Sequence, residues 1–471
     1  MLESAKTAFK KLVIERMLRQ DAAQRAQLPG GFGGLPPSLW GCDIDAQGVL
    51  AIQGLSATEL VQRFGSPLHV VNLPWLRKTH DEFLGAFTAH HPQTRLGTSY
   101  KTNPVPAVLK ALHDCGTYAE VISEFELWLA GKLGLPGERI IVNGPGKHRA
   151  MIARAVDMGV KVINIDGLGE IEQIAAEAQR TGRTQPVGVR VVTSVGWSSQ
   201  FGVAIANGDA LAAFERIKQH AQLAPIGVHL HIGTGLKSVG LYLQAIREVL
   251  TFARVLRERH GIELSLYDFG GGYGVATVRG TDAWDDRMVG LGYPAREALP
   301  EDCPRPADYG ARVAGLLNEL LPKSAGVEMV LEPGRAITSG AQTLLLSVIA
   351  VKEGGGVRKL ILDGGKNITL PLGWETHKMF PANRLRQPFD TRTDLYGPLC
   401  HPGDIVARHL QLPALAVGDV LAIMDAGAYF IPNQMNFSNP RPAVVSVENG
   451  EAQLVRQRES FDDVVRLDAC T

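Results

Sequence analysis

A lysine at the end of a short apolar strand is the residue of this sequence best suited to covalent chemistry. Residues 95–100 have a strand pattern, and residues 105–112, with a proline suited to a first helical turn, have helical spacing. Lys101 therefore lies where a strand passes into a helix. An amine at the tip of a barrel strand can be desolvated enough to react with a carbonyl as a Schiff base. A surface lysine in a turn is the simpler alternative.

Two motifs further along the chain could bind a phosphorylated ring. The run Gly270–Gly272 exposes backbone N–H groups that can wrap a phosphate, although a tight turn would use the same residues. Glu332 and Arg335 could serve opposite ends of one ligand, the carboxylate at a ring nitrogen and the guanidinium at a phosphate. A local ion pair at a strand end is the alternative for this second motif.

Two histidines alternate along one strand. His229 and His231 share a face of that strand, and the second stands at its tip. No carboxylate or cysteine lies at ligand spacing beside them, so a metal site is the weaker interpretation. A flat imidazole stacked on a flat cofactor is the better use of His231. Thr234 could donate to a phosphate, and His229 is expected in the core.

Several of these residues lie where predicted strands end. Eight apolar strand candidates alternate with helical segments, at residues 95–100, 118–122, 139–143, 161–166, 187–192, 226–231, 264–269 and 327–332. Eight such units predict a closed (βα)8 barrel, an α/β fold whose functional groups lie where the strands end. The strand ends are polar or glycine-rich, with Lys101, Ser123, Asn143, Asp166, Arg190, His231, the glycine run and Glu332.

The remaining sequence predicts a second domain. After Arg335 strands and turns dominate, which indicates a C-terminal β-barrel or sandwich. We expect an N-terminal helical arm and linker at 1–40, one or more strands of the β domain at 41–73, with Val49–Gln53 as the candidate, the barrel at 74–338 and the β domain at 339–471.

Composition narrows the partners and the compartment. Lys plus Arg and Asp plus Glu each number 48 in 471 residues, which argues against binding to nucleic acid or to an acidic membrane surface and favours a small ligand. The five cysteines form no CxxC pair, which suits a reducing compartment. No segment has the pattern of a membrane span or signal peptide, so we expect a cytoplasmic protein.

Six motifs in unbroken order resemble one family. They are Tyr100-Lys101-Thr102-Asn103, His231-Ile232-Gly233-Thr234, Gly270–Gly272, Glu332-Pro333-Gly334-Arg335, Gly397-Pro398-Leu399-Cys400 with Asp404, and Asp425-Ala426-Gly427-Ala428-Tyr429. Together they resemble the pyridoxal-phosphate decarboxylases of the alanine-racemase fold, which include diaminopimelate, ornithine and arginine decarboxylases. The resemblance runs from about residue 50 to 460, and only the N-terminal arm and the segment 276–306 lie outside it.

The resemblance implies a role for each motif. It makes Lys101 the Schiff-base lysine of pyridoxal phosphate, His231 the ring-stacking residue and Glu332 the partner of the pyridine nitrogen. Cys400, from the second subunit of a homodimer, would reprotonate the product. The residues implied for the phosphate are Thr234, Gly271, Gly272, Arg335 and Tyr429. A carboxylate keeps the ring nitrogen protonated and favours decarboxylation, whereas an arginine there would suit racemisation.

Substrate recognition departs from the family pattern. His401 follows Cys400 where relatives acting on a distal ammonium commonly carry an acid, and residues 363–373 lack the arginine that grips the substrate carboxylate in diaminopimelate decarboxylases. The sequence therefore predicts an amino acid or conjugate with an oxygen-bearing far end, for siderophore or amine biosynthesis. His401, Asp404 and Arg190 are the candidate substrate-binding residues.

Three alternatives remain at this point. One is a diaminopimelate, lysine or ornithine decarboxylase, and another is a racemase of the same fold. A catalytically silent binding protein is the third, but it would be expected to lose Lys101 or Cys400.

Overall fold

The computed structural model describes residues 2–197, 199–321 and 326–469. The chain divides into two compact units, each built from separate stretches of sequence. The barrel unit comprises Leu76–Gly274 and Pro304–Thr338. The β unit comprises the residues up to Trp75, Val275–Cys303, and the residues from Ser339 onward.

The barrel unit contains the closed parallel barrel that the strand spacing predicts. Its strands, named first to eighth in chain order, are Thr94–Ser99, Tyr118–Val121, Ile140–Val142, Val162–Ile165, Gln185–Val192, Leu223–Leu230, Leu266–Asp268 and Glu328–Leu331. Each strand pairs in parallel with the next, and the eighth pairs with the first, which closes the ring. A short strand, Val203–Ala204, pairs outside the ring with the fifth.

Helices connect the barrel strands. They are Leu73–Thr88, which begins in the β unit, Pro106–Asp114, Glu124–Lys132, Arg149–Met158, Glu170–Thr181, Asp209–Ile217, Val239–His260, Pro306–Leu320 and Gly334–Thr338, with a 3-10 turn at Gly137–Arg139. Ser123 and Ser238 cap two of them by accepting hydrogen bonds from Glu126 N–H and Leu241 N–H. Ser123 is therefore a helix cap at its strand end.

The barrel interior is built in two layers. The lower layer is a small apolar cluster of Ile141, Val162, Leu266 and Val330. Two residues after each of these lies a buried polar residue, respectively Asn143, Asn164, Asp268 and Glu332. Because side chains alternate along a strand with a period of two, both members of each pair face the barrel axis. With buried Glu120 and His229, these four polar residues form what we call the polar layer.

The β unit is organised around one sheet. Seven of its strands follow the order Ile405–Leu412, Thr391–Tyr396, Val357–Leu362, Gln342–Gly354, Leu68–Asn72, Ala443–Glu448 and Glu451–Arg456. Val420–Ile423 pairs with both Gln342–Gly354 and Met379–Pro381. Alternate residues of the long strand face two separate apolar cores, with Leu345 in one and Leu344 in the other.

The strand that joins this sheet from before the barrel is not the expected Val49–Gln53. Leu68–Asn72 occupies the centre, antiparallel to Gln342–Gly354 and parallel to Ala443–Glu448. Leu50–Ile52 is instead the middle strand of a small sheet with Cys42–Ile44 and Leu55–Ser56. All five residues of Leu68–Asn72 are buried, which is the environment of a central strand, although His69 and Asn72 make its sequence less apolar.

The segment 275–303 also differs from expectation, since the predicted barrel range of 74–338 includes it. Arg279–Gly280 pairs with Glu375–Thr376, and Thr277 Oγ1 donates to Asp425 Oδ1 at 2.9 Å. These bonds join it to the β unit. Its helix is Ala283–Gly290, and the other helices of the unit are Leu2–Arg25, Ala57–Phe64 and Phe461–Val465. Short 3-10 turns occur at Phe32–Gly34, Pro37–Trp40, Pro300–Asp302, Ser339–Ala341 and Leu370–Gly373. Among the described residues, no helix combines the length and apolarity needed to cross a membrane.

Candidate active site

Lys101 lies in the turn that follows the first barrel strand. Its Nζ is 2.5 Å from Glu120 Oε2 and 3.5 Å from Ser99 Oγ. The lysine side chain is 34% exposed, whereas Glu120 is fully inside the barrel at 1%. The lysine side chain is therefore partly exposed at the barrel mouth, and its amine is paired with a buried carboxylate.

A chain of polar contacts leads from Lys101 across the barrel. Asn143 Nδ2 donates to Glu120 Oε1 at 3.1 Å and to Glu332 Oε1 at 2.7 Å. Asn164 Nδ2 donates to Asn143 Oδ1 at 2.8 Å, which fixes the orientation of that amide. Lys101 and Glu332 are thus connected through one carboxylate and one amide.

Glu332 is the anionic centre of the polar layer. Burial opposes its ionisation, but the neighbouring His229 and Lys101 hold the pKa of Glu332 below its ordinary range. His229 Nε2 lies 3.4 Å from Glu332 Oε2. Burial and the negative charge of Glu332 raise the pKa of Asp268 well above its usual value. The carboxylate that ionises is therefore Glu332.

His231 stands at the barrel mouth with a defined tautomer. Its Nδ1 accepts the N–H of Gly271 at 3.2 Å, so the ring proton resides on Nε2. Burial and the positive charge of Lys101 lower the pKa of His231 to about 3. A neutral ring is the form suited to stacking on a flat ligand.

The glycine run is required by the close approach of neighbouring backbone. A Cβ on Gly270, Gly271 or Gly272 would lie 2.1, 2.1 or 2.0 Å from a carbonyl oxygen of Leu230, Glu332 or Gly233, respectively. Gly270 and Gly272 also have φ values of 62° and 88°. The loop after the seventh strand is therefore held against the loops after the sixth and eighth strands by residues without side chains.

Two N–H groups of the glycine run donate to side chains of the barrel unit. Gly270 N–H bonds to Asp268 Oδ1 at 2.9 Å, and Gly271 N–H bonds to His231. In this structure the Gly271 N–H is therefore paired with His231, and its role at a phosphate stays a prediction. Gly272 lies beside the Thr234 loop, because its carbonyl accepts Leu236 N–H at 2.8 Å, and Thr234 itself is exposed.

Arg190 lines a hollow beside His231. Its guanidinium lies 4.4 Å from the centre of the Phe201 ring, and Nη1 is 3.5 Å from Asp166 Oδ1. Trp197 borders the same hollow, with its ring centre 5.8 Å from that of His231. The structure thus places Arg190 near the cofactor-stacking candidate. Arg335 lies in the short helix Gly334–Thr338 that follows Glu332.

These residues fit pyridoxal phosphate. A reactive amine, an ionised buried carboxylate, a neutral imidazole and a side-chain-free cradle are assembled at the same end of the barrel. Those four chemistries match the aldehyde, ring nitrogen, ring face and phosphate of that cofactor.

In the β unit, Cys400 and His401 lie in the Cys400 loop, residues 397–404, between Thr391–Tyr396 and Ile405–Leu412. The Cys400 thiol is exposed. His401 is exposed, and its Nδ1 accepts Gly403 N–H at 3.0 Å, which leaves the ring proton on Nε2.

Asp404 has a different environment from the one expected of a substrate-binding residue. It is 2% exposed, and its two carboxylate oxygens accept the N–H groups of Lys366 and Leu399, each at 2.7 Å. The carboxylate therefore joins two backbone segments and faces away from solvent. The geometry favours a structural role for Asp404, and its role in substrate binding stays a prediction.

Tyr429 lies in the β unit with a φ of 67°, and its carbonyl accepts Asn433 Nδ2 at 2.8 Å. In the same motif, Asp425 is buried and accepts Trp40 Nε1–H at 2.7 Å and the Thr277 hydroxyl at 2.9 Å. Burial raises the pKa of Asp425. This aspartate ties together three distant segments of the unit.

Sequence reasoning missed Glu120, Asn164 and Asp268, and it assigned His229 only to the core. Each is a polar residue inside an otherwise apolar strand. Their position two residues after an inward-facing apolar residue was the available signal. The predicted strand ends lay two or three residues beyond them, at Ser123, Asp166, Gly270 and His231, so a search of the strand tips passed over them.

Comparison with known proteins identifies the family. The model of the family "Pyridoxal-dependent decarboxylase, pyridoxal binding domain" matches residues 77–339. The diaminopimelate decarboxylase of Methanothermobacter thermautotrophicus is 31% identical over 439 residues, which cover 90% of this chain and 96% of the relative.

Solved structures of amino-acid decarboxylases have the same fold as this chain. The crystal structure of M. jannaschii diaminopimelate decarboxylase in complex with L-lysine has a TM-score of 0.82 and 25% identity, covering 91% of this chain and 98% of that one. The lysine/ornithine decarboxylase of Vibrio vulnificus shares the fold. Its putrescine complex has a TM-score of 0.69 and 24% identity, covering 84% of this chain and 99% of that one. With the family model covering more than half of the chain, the protein belongs to the pyridoxal-phosphate-dependent amino-acid decarboxylases of the alanine-racemase fold.

Proposed function

We propose that this decarboxylase acts on an amino acid whose far end carries a carboxylate, hydroxyl or amide oxygen, with Lys101 as the cofactor anchor. The observation that carries the anchoring role is the 2.5 Å contact between Lys101 Nζ and buried Glu120 at the barrel mouth. An ammonium must lose a proton before it can attack a carbonyl, and the Glu120 carboxylate is within hydrogen-bond distance to accept it.

Glu332 and His231 would hold the cofactor ring. Pyridoxal phosphate, when bound, supplies an electron sink for the electrons released as carbon dioxide leaves. Anionic Glu332 would keep a proton on the ring nitrogen, and neutral His231 would present a flat face without competing for charge. Thr234, Gly271, Gly272, Arg335 and Tyr429 remain the proposed phosphate ligands.

We propose Cys400 as the proton donor to the product carbon, acting across a homodimer. Its thiol is exposed and belongs to the β unit, whereas Lys101 belongs to the barrel unit. Sharing of sites between subunits is implied by the family resemblance, and it requires that a subunit lacking Lys101 and a subunit lacking Cys400 each be inactive alone.

The oxygen-bearing far end is inferred from the Cys400 loop. His401 has a proton on Nε2 that can be donated to an oxygen acceptor, and an imidazole offers no attraction to an ammonium. Both carboxylate oxygens of Asp404, the acid of this loop, already accept hydrogen bonds from backbone N–H groups. The loop therefore favours a substrate oxygen over a distal cation.

Diaminopimelate is the second candidate substrate, because the relatives named above include diaminopimelate decarboxylases. Its far end carries a carboxylate beside its ammonium, so it satisfies the same requirement. Lysine and ornithine do not. A conjugated amino acid in siderophore or amine biosynthesis stays a prediction, and the carboxylate at position 332 disfavours a racemase.

The substrate test compares kcat/KM for carbon dioxide release across L- and D-lysine, ornithine, diaminopimelate, and distally acylated or citryl conjugates. We expect oxygen-bearing substrates to exceed free lysine and ornithine by at least about tenfold. A preference for the free diamino acids would contradict the proposal. Chiral chromatography of unreacted substrate reports racemisation separately.

The anchor test replaces Lys101 with Ala. We expect the yellow colour and the borohydride-reducible bond to disappear together with turnover. The matched control is Lys110→Ala, because Lys110 is exposed and paired with Asp114 on a nearby helix. Covalent cofactor remaining on the Lys101→Ala protein would show that another residue is the anchor.

The dimer test mixes Lys101→Ala with Cys400→Ala subunits. Equal amounts pairing at random make half of the dimers mixed, and each mixed dimer has one intact site, so about a quarter of wild-type activity is expected. A monomer in sedimentation, or no rescue after demonstrated subunit exchange, would rule out shared sites.

A further inference from the structure

Two buried carboxyl groups of the polar layer lie against each other. An oxygen of Asp268, an oxygen of Glu332 and a ring nitrogen of His229 all lie within 4.8 Å of one another. Asp268 is 0% exposed, His229 1% and Glu332 5%. Like charges this close and this well buried do not both ionise, so the pair holds a proton.

The surrounding donors decide which carboxyl is charged. Glu332 accepts a hydrogen bond from Asn143 at 2.7 Å, lies 3.4 Å from His229 and feels the charge of Lys101. Asp268 instead faces the negative charges of Glu332 and Glu120. Negative charge is therefore stabilised on Glu332, and the proton belongs to Asp268.

The hydrogen-bond partners of the two Asp268 oxygens also indicate that this carboxyl carries the proton. Oδ1 accepts Gly270 N–H at 2.9 Å. Oδ2 is buried and has no hydrogen-bond partner among the described residues. If both carboxyls were ionised, Oδ2 would be a buried acceptor that faces another acceptor. A proton on Oδ2 makes it a donor to Glu332 and removes that cost.

We propose that Asp268 is a positioning residue: its neutral carboxyl accepts from Gly270, donates to Glu332, and so holds Glu332 as the oriented anion of the site. The inference rests on the proposed function only where Glu332 meets the cofactor ring. It also links the glycine loop to that anion, because Gly270 and Glu332 are bonded to the same carboxyl group. Asp268 reaches the reacting atoms only through Glu332.

Asparagine mimics the proposed neutral state. With Oδ1 held by Gly270 N–H, the amide of an Asp268→Asn variant presents its Nδ2–H group towards Glu332. Asp268→Leu has similar size but can neither accept nor donate. The two variants therefore separate the hydrogen-bonding role from the volume of the side chain.

The direct test is infrared spectroscopy of the full-length chain at pH 7, both loaded and freed of cofactor. We expect the wild-type spectrum to contain a protonated-carboxyl band, shifted in D2O, that Asp268→Asn removes and the exposed-site control Asp209→Asn retains. This measurement is independent of whether Lys101 anchors the cofactor. Absence of the band from the difference spectrum would overturn the proposal.

The second measurement is cofactor affinity from a fluorescence titration with pyridoxal phosphate. We expect Asp268→Asn to bind within about threefold of wild type and Asp268→Leu to bind at least about tenfold more weakly. Equal losses in both variants would overturn the positioning role. A stoichiometric divalent ion that wild type retains and Asp268→Asn loses would also overturn it, because the three residues would then be metal ligands.

Discussion

Replacing Asp404 distinguishes two roles that its sequence position permits. Both of its oxygens accept backbone N–H groups at 2.7 Å, from Lys366 and Leu399. Hydrogen bonds to a charged acceptor contribute about 1.5–3 kcal/mol each. Asp404→Ala loses both, so we expect a loss of about 3–6 kcal/mol in the free energy of unfolding. Asp404→Asn keeps one acceptor and sets its amide against the other N–H group, for a loss of about 2–3 kcal/mol.

The packing around this carboxylate leaves no room for adjustment. A Cβ on Gly365 or Gly397 would lie 2.2 or 2.3 Å from an oxygen of Asp404. The loss of either bond should therefore displace the Cys400 loop, and kcat should fall by a similar factor for every substrate.

The assay combines chemical denaturation with kcat/KM over the substrate panel. Exposed Asp390→Asn is the control and should change stability by less than about 0.5 kcal/mol. The reasoning would be refuted if Asp404→Asn kept wild-type stability and raised KM only for substrates with a distal ammonium. That pattern would return Asp404 to substrate binding.

Three further changes test other parts of the structure. Gly271→Ala should weaken cofactor binding by at least about tenfold in a fluorescence titration, because its Cβ would meet a carbonyl oxygen at 2.1 Å, whereas Gly315→Ala, with open space, should not. His69 has a pKa lowered by burial from 6.5 to about 3, so the unfolded state binds its proton more readily. The contribution of neutral His69 to the free energy of unfolding is therefore fully present above pH 6.5 and should fall by about 1.4 kcal/mol per pH unit towards pH 3. Chemical denaturation of His69→Gln should show a shallower dependence of that free energy on pH. His401→Glu should raise kcat/KM for lysine and ornithine relative to the native substrate, and an unchanged ratio would count against the role of His401 in selectivity.

The barrel could be predicted from the chain alone because its signals are local. Eight apolar segments, each followed by a polar or glycine-rich tip and a helix, specify the alternation that closes into a barrel. The tips at Lys101, His231 and Glu332 were predicted for the same reason. A strand's parallel direction places every tip at one end, so no long-range information was needed to bring them together.

The sequence by itself therefore determined the fold class, the family and the residues at the mouth of the barrel. Tertiary structure alone decided which buried groups face one another. The pleat period puts Asp268 and Glu332 inside the barrel, but only the pairing of the seventh strand with the eighth makes them neighbours. It also decided that Asp404 turns inward onto two backbone N–H groups and that Leu68–Asn72 lies between strands from much later in the chain. Hydrogen bonds and charge interactions act between neighbours in space, and local periodicity carries no record of which distant strand that neighbour will be.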